Sequence, residues 1–248
     1  MKTKVISQEV INGIKNRQNK PLLTMASASA KLSKNEVKSF ILYLAASSQN
    51  NFGINICPKA SEGCTKACLF TAGRGKFSNV KTARIEKTDF MLSDPSKFYK
   101  KLAAEIMYHS TLAFDQKIAF RLNGTSDLNH YKQLKRYANL DINTLPNNVI
   151  FYEYTKNLNM AKSIKNQFSR VHITFSKSEN NWDQCLEALE AGFNVAAVFN
   201  KLPTHYAGYP VINGDLSDER FDDPSNVIVG LKAKGDAKKD NSGFVINI

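Results

Sequence analysis

The stretch NNVIFYEYTKNLNMAKSIKNQFSRVHITFS, residues 147–176, contains one complete strand–helix–strand unit. Its first part, VIFYEYT, is apolar and rich in β-branched and aromatic residues, as expected of a buried strand. NLNMAKSIKNQF then carries apolar residues at helical spacing, and VHITFS returns to a strand pattern. A pair of strands joined by a helix of this length is expected to be parallel, because parallel strands need a long crossover connection. The unit therefore predicts an α/β fold built on a parallel sheet.

The same alternation extends over the second half of the chain. Further strand patterns are QKIAFRLNG (116–124), FNVAAVFN (193–200), YPVIN (209–213) and NVIVGLKAK (226–234). Further helix patterns are NVKTARIEKTDFML (79–92), PSKFYKKLAAEIMYHST (95–111), LNHYKQLKRYAN (128–139) and NNWDQCLEALEAG (180–192), the last closing on Gly192. Regular alternation of this kind predicts a complete or partial βα barrel of the TIM type, with an open doubly wound sheet as the alternative.

The chain shows no internal repeat and no linker rich in Pro, Gly or Ser, so we predict one domain over residues 1–248. Within it, residues 1–50 are an N-terminal extension packed on the barrel, 51–78 a cysteine loop and 79–248 the βα units. The extension begins with a helical pattern, VISQEVINGIKNR. The following VKSFILYLAA fits a strand or a helix, because periodicity does not separate the two in a short apolar run.

Composition narrows the class of protein. A hydrophobic content of 42% with 23% charged residues is typical of a soluble globular protein. No apolar run approaches the roughly 20 residues of a membrane span, and the N-terminus lacks the pattern of a signal peptide. We therefore expect a cytoplasmic protein without membrane contact. The net charge of +12 suggests nucleic acid or a phosphate-bearing substrate as a partner, or else reflects a lysine-rich proteome.

Polar residues follow each predicted strand directly, in RLNGTSD, YTK, SKSE, NGD and KAKG. Ligands of parallel α/β proteins bind at these carboxyl ends, so the residues are expected to surround one site. We assign acid–base or other polar work to Asp127, Lys156 and Asp215. Cofactor binding is assigned to Asn123, Gly124, Ser126, Tyr154, Ser176 and Lys232. For Ser126, Asp127 and Ser178 the alternative is that they cap the N-termini of the following helices.

Three of the four cysteines lie close together, Cys57, Cys64 and Cys68, in CPKASEGCTKACL. Disulfides are not expected in the cytoplasm, where thiols stay reduced or bind metal. Three thiolates can hold three irons of a cubane cluster and leave the fourth open, whereas a structural zinc site usually has four ligands. Cys185 is expected to be a buried apolar residue, and the histidines are isolated along the chain. The spacing favours a [4Fe-4S] cluster, with zinc as the alternative.

Several ordered motifs also carry a resemblance to known proteins. AKLSK, CPKASEGCTKACL, RLNGTSD, YEYTK and TFSKSE resemble, in that order, a phage-encoded family labelled rolling-circle-replication-associated protein. More distantly, three cysteines early in a βα barrel resemble the radical S-adenosylmethionine superfamily, although their spacing is longer here. That resemblance implies that the cluster binds S-adenosylmethionine and that residues 123–127 contact it. A nickase of rolling-circle replication would have a paired-histidine metal motif, which this chain lacks.

These patterns lead to three functional hypotheses. The first is a phage-type iron–sulfur enzyme resembling radical S-adenosylmethionine enzymes, acting in the host cytoplasm on an unidentified substrate. The second is a non-enzymatic, nucleic-acid-binding replication accessory protein with a structural zinc. The third is an inactive barrel that serves as an interaction scaffold.

Overall fold

The structure, a computed structural model, describes residues 7–25, 37–68, 73–111 and 116–248. These residues form one mixed α/β sheet system. The strands are β1 (Leu23–Met25), β2 (Lys38–Leu42), β3 (Ile118–Arg121), β4 (Val149–Thr155), β5 (Val171–Ser176), β6 (Asn194–Phe199), β7 (His205–Tyr206), β8 (Tyr209–Asn213), β9 (Ile228–Lys232) and β10 (Val245–Ile246). The helices are α1 (Gln8–Gln18), α2 (Glu62–Lys66), α3 (Ser78–Ser93), α4 (Pro95–Thr111), α5 (His130–Ala138), α6 (Leu158–Gln167) and α7 (Trp182–Glu190).

Within the described residues the sheet has ten strands in the order β1-β2-β3-β4-β5-β6-β9-β8-β7, with β10 paired to β6. The strands from β2 to β8 along this order are parallel, and only β1 and β7 are antiparallel to their neighbours. From β2 to β6 the order follows the chain without the reversal of a doubly wound sheet. The described strands do not close into a barrel, so the complete TIM barrel is not confirmed. The sheet is open.

Helices α3 to α7 share one hydrophobic core with one face of the sheet. Strand β4 illustrates how the alternation of side chains sorts the two faces. Phe151 joins the core and packs edge-to-face against Tyr131 of α5, with ring centroids 5.6 Å apart. Tyr152, one residue on, contacts Phe221 and lies outside that core. The second face of the sheet is thereby left for polar and aromatic side chains.

The first 50 residues contribute to the sheet itself and do not only pack on it. The ambiguous run VKSFILYLAA contains β2, which pairs in parallel with β3. The predicted N-terminal helix is present as α1, and its N-cap Ser7 accepts a hydrogen bond from the amide of Val10. No helix within the described ranges is long and apolar enough to cross a membrane.

The helix-cap interpretation of Ser126, Asp127 and Ser178 is wrong. The N-cap of α5 is Asn129, whose side chain accepts from the amide of Lys132 at 3.0 Å. The N-cap of α7 is Asn181. Each helix begins later than expected, because an asparagine nearer the first turn occupies the cap position. The polar residues directly after β3 and β5 are consequently available for other contacts.

Candidate functional site

A cavity of about 340 Å³ opens at the carboxyl ends of the parallel strands. Its wall includes the polar residues that follow β3, β4, β5, β8 and β9, together with the cysteine segment. Every residue that the sequence singled out for a site lines it, namely Cys57, Cys64, Cys68, Asn123, Gly124, Ser126, Asp127, Tyr154, Lys156, Ser176, Asp215 and Lys232. The chain thus brings together residues from 57 to 232 at one end of the sheet.

The three clustered cysteines are partly buried thiols, and none of the four cysteines forms a disulfide. The Cys57 sulfur accepts a hydrogen bond from the amide of Ser47 at 3.4 Å and donates to the carbonyl of Thr125 at 3.6 Å. Burial raises the pKa of Cys57 to about 11, and the charges of Asp127 and the other two thiols act in the same direction. Cys185 is fully buried in the core, as predicted. Among the described residues, no three His, Cys, Asp or Glu side chains are grouped so as to hold one metal ion.

The short helix α2 carries Cys64 and is attached to the end of β5. Its N-cap Ser61 accepts from the amide of Cys64 at 3.2 Å. Glu179 accepts from the Ser61 hydroxyl at 2.5 Å and from the amide of Gly63 at 2.8 Å. A Cβ at Gly63 would come within 2.8 Å of the Cβ of Phe244, so only glycine fits this close approach. The cysteine helix is therefore fixed to the strand ends through Glu179.

The loop after β3, residues 122–127, is organised by a carboxylate buried in β4. Glu153 accepts from the amides of Leu122 and Asn123 at 2.8 and 2.9 Å and from the Tyr131 hydroxyl at 2.8 Å. Burial raises the pKa of Glu153 to about 7, although these hydrogen bonds favour the charged form. A Cβ at Gly124 would lie 2.8 Å from the carbonyl oxygen of Leu42, so glycine is required where this loop crosses the end of β2.

Most of the polar side chains in this loop hold the loop itself. The Asn123 side chain donates to the carbonyl of Leu128 at 2.9 Å and accepts from the Ser126 hydroxyl at 2.9 Å. Asp127 accepts from the Thr155 hydroxyl at 2.6 Å and from the backbone amide that follows it, at residue 156, at 3.0 Å. Burial raises the pKa of Asp127, while the Thr155 hydrogen bond lowers it. These bonds give Asn123 and Asp127 a structural role beside any role in binding.

The cavity wall also carries several cations and a second carboxylate that is held by hydrogen bonds. Asp215 accepts from the backbone amide of Lys232 at 2.9 Å and from the Lys234 ammonium at 2.7 Å. The Lys156 ammonium lies 5.8 Å from the ring centroid of Phe244. The Arg121 guanidinium lies 4.6 Å from the ring centroid of Tyr154. The cavity therefore combines acidic, basic and aromatic groups beside the thiols.

Sequence reasoning missed three residues that shape this site: Arg121, Glu153 and Glu179. Arg121 and Glu153 are charged residues inside otherwise apolar strands, in KIAFR and VIFYEYT. That interruption is a signal, because a charge in a buried strand is tolerated only when it is paired or lines a polar site. Glu179 left no such signal, since its partners Ser61 and Gly63 are distant in the sequence.

Fold and cavity together define an α/β protein with an open, mostly parallel sheet and a cysteine-lined cavity at the strand ends. The sequence model of the family described as Gene product 88 matches residues 15–248, so the chain belongs to this phage-type family. No curated protein and no solved structure gives a significant match to the chain. The family description refers neither to rolling-circle replication nor to S-adenosylmethionine, so both remain predictions.

Proposed function

We propose that this protein is an iron–sulfur enzyme whose cluster is held by Cys57, Cys64 and Cys68 and whose active site is the cavity at the strand ends. The observation that carries the proposal is that all three thiols line the same cavity as the polar residues after β3, β4, β5, β8 and β9. A metal placed there would meet a substrate in the position where α/β proteins bind their ligands.

The donor set suits a cluster better than a single ion. Thiolates are soft ligands that select iron–sulfur clusters, zinc and copper(I). A cubane places each thiolate on a different iron, so its three sulfurs need not converge on one point as they do around zinc. The burial that raises the pKa of Cys57 keeps this thiol protonated until a metal displaces the proton. When bound, such a cluster supplies an open iron that acts as a Lewis acid or electron donor to a co-substrate such as S-adenosylmethionine.

The protein's own residues would bind and orient the substrate beside the thiols. Asp127, with its pKa raised by burial, holds or releases a proton at the edge of the cavity nearest Cys57. Lys156 presents a positive charge from the end of β4. Asp215, which follows β8 and is fixed by Lys234, offers its carboxylate to the substrate as a hydrogen-bond acceptor. Apolar residues such as Leu231 and Phe244 complete the wall and exclude water from it.

The experiment is anaerobic purification with reconstitution by iron and sulfide, followed by metal analysis and visible absorption spectroscopy. We expect about four irons per chain and a broad charge-transfer absorption. Cys57→Ala, Cys64→Ala and Cys68→Ala should each remove most of the iron, because each loses an anionic ligand. Cys185→Ala is the matched control, because its thiol lies in the core and not in the cavity.

Two results would overturn the proposal. One is a reconstituted protein without iron. The other is iron retained equally in the variants of the clustered cysteines and in the control. One zinc per chain, lost on substitution of the clustered cysteines, would instead support the zinc-containing accessory protein.

A second candidate function, non-enzymatic binding of nucleic acid, is favoured by the net charge of +12. Binding of that kind weakens steeply with salt, because phosphate contacts release counterions. Titration of single-stranded and duplex DNA at increasing salt tests it. Absence of binding at about 50 mM salt, the low end of the range in which such binding is strong, would reject this candidate.

A further inference from the structure

The cavity contains more positive than negative side chains. Its cations are Arg121, Lys156, Lys177, Lys232 and Lys234, and its carboxylates are Asp127, Asp215 and Asp218. Two of the lysines already have partners, because Lys177 donates to the carbonyl of Gly243 at 3.2 Å and Lys234 pairs with Asp215. The remaining positive charge faces a space that is large enough for a small ligand.

Arg121 is the most unusual of these cations. Its Nε is buried without a hydrogen-bond partner, and its guanidinium forms no ion pair with any residue in the described ranges. Although burial lowers the pKa of Arg121, the negative charge of Asp218 acts on the guanidinium and raises it. A buried donor without a partner is unfavourable by about 1–3 kcal/mol, so it is rarely left in that state. The side chain lies along the Tyr154 ring and borders the cavity, where a ligand would satisfy it.

Lys156 borders the same cavity as Arg121, and its ammonium lies 5.8 Å from the ring centroid of Phe244. The Lys156 ammonium forms no ion pair among the described residues, although it lies within the electrostatic range of Asp127. Arg121 and Lys156 are thus two cations that border one cavity.

We propose that Arg121 and Lys156 form a binding site for the phosphate group of a small phosphate monoester, which is the substrate class of this enzyme. The inference rests on the proposed function in taking the cavity as the active site. A phosphate monoester carries a charge of about −1.5 to −2 near pH 7, which matches two cations better than the single charge of a carboxylate does. The planar fork of arginine also suits the paired oxygens of a phosphate.

The rest of the cavity defines the remainder of the ligand. Ala196, Val198 and Leu231 line the wall from β6 and β9, so the body of the ligand is apolar or aromatic. A volume of about 340 Å³ holds a molecule of mononucleotide size and not a nucleic-acid duplex. The site therefore takes a free small molecule or one exposed nucleotide.

Calorimetric titration of the full chain with four probes tests the site: phenyl phosphate, benzoate, phenol and adenosine 5′-monophosphate. We expect both phosphate monoesters to bind, and benzoate and phenol to bind at least about tenfold more weakly. Arg121→Gln and Lys156→Gln should each weaken phosphate binding by about tenfold or more. Arg121→Lys retains the charge without the fork and should lose less. Lys132→Gln, at an exposed lysine of α5, is the matched control and should bind as the wild type does.

Each result bears on the assignment. Absence of phosphate binding to the wild type would overturn it, and so would affinity unchanged in both variants when melting curves show that they are folded. Equal affinity for benzoate would show that the site recognises a carboxylate and not specifically a phosphate. The iron content of each variant separates this inference from the proposed function. Loss of phosphate binding in Arg121→Gln with wild-type iron content supports both. The same loss in a protein that binds no iron leaves the phosphate site standing and rejects the cluster.

Discussion

Glu153 offers a test of how the cavity loop is held. Its two oxygens accept three hydrogen bonds, from the amides of Leu122 and Asn123 and from the Tyr131 hydroxyl. Glu153→Gln leaves the side-chain volume almost unchanged. It leaves only one acceptor oxygen for three donors that bond to two oxygens in the wild type. One amide hydrogen must then face the new NH₂ group, which lowers the free energy of unfolding by about 1–3 kcal/mol.

The pH dependence of this change follows from the pKa of Glu153, which burial raises from 4.5 to about 7. Below the unfolded value the carboxyl is protonated in both states, and its full contribution to stability is present. Between pH 4.5 and about pH 7 the unfolded chain releases the Glu153 proton while the folded chain retains it, so the free energy of unfolding falls. A pKa unit corresponds to about 1.4 kcal/mol, so the loss reaches about 3 kcal/mol once the pH exceeds the folded value.

Glutamine does not titrate, so the free energy of unfolding of the Glu153→Gln variant lacks this pH-dependent fall. We expect the stability of Glu153→Gln relative to the wild type to rise by about 3 kcal/mol between pH 4.5 and pH 8. Urea denaturation at a series of pH values measures both curves. The test uses the difference between the two curves, because His130 contributes to both. Burial lowers the pKa of His130 to about 3, so its contribution to the free energy of unfolding increases with pH. Parallel curves over this range would refute the assignment of the titration to Glu153.

Three further substitutions test other contacts of the cavity. Gly124→Ala would bring a Cβ to 2.8 Å from the carbonyl oxygen of Leu42, and we expect urea denaturation to show a loss of about 1–3 kcal/mol. An unchanged midpoint would contradict that close approach. Asp127→Asn removes a negative charge near Lys156, so calorimetry should show phenyl phosphate bound several-fold more tightly. Weaker binding would show that the charge does not oppose the ligand. Glu179→Ala removes both bonds to α2 and should lower the iron content after reconstitution, whereas Glu179→Gln should retain it; equal iron content in both would show that this contact does not position Cys64.

The fold could be predicted as far as local patterns determine it. Strands β3 to β6 and helices α3 to α7 follow from periodicity and from turn residues such as Gly192, which ends the α7 segment with a positive φ of 75°. The sequence does not predict whether the sheet closes into a barrel, because closure depends on strand tilt and on which strand edges remain unpaired. Among the described residues the antiparallel strands β1 and β7 lie at the two ends of the strand order. The β7–β8 hairpin is local, with Ala207 and Gly208 both at positive φ in its two-residue turn, whereas no local pattern specifies that β1 pairs with β2.

The position of the candidate site was more predictable than the contacts of its residues. Parallel strands collect their carboxyl ends at one edge, so polar residues following several strands must lie near one another. The same rule does not state which side chains are occupied by hydrogen bonds. Asn123 and Asp127 proved to hold the loop, while Arg121, the last residue of β3, reaches the cavity without a described polar partner. Such distinctions depend on neighbours far apart in the chain.

The loop after β3 links the cysteine segment to the floor of the cavity. The carbonyl of Thr125 accepts from the Cys57 thiol, and the amide of Asp127 donates to the carbonyl of Ile56 at 3.0 Å. The start of the same loop is held by Glu153 from within β4. A change that loosens this loop should therefore disturb iron binding and phosphate binding together. A change at Arg121 should disturb only phosphate binding, because no described hydrogen bond joins its side chain to the loop or to the thiols.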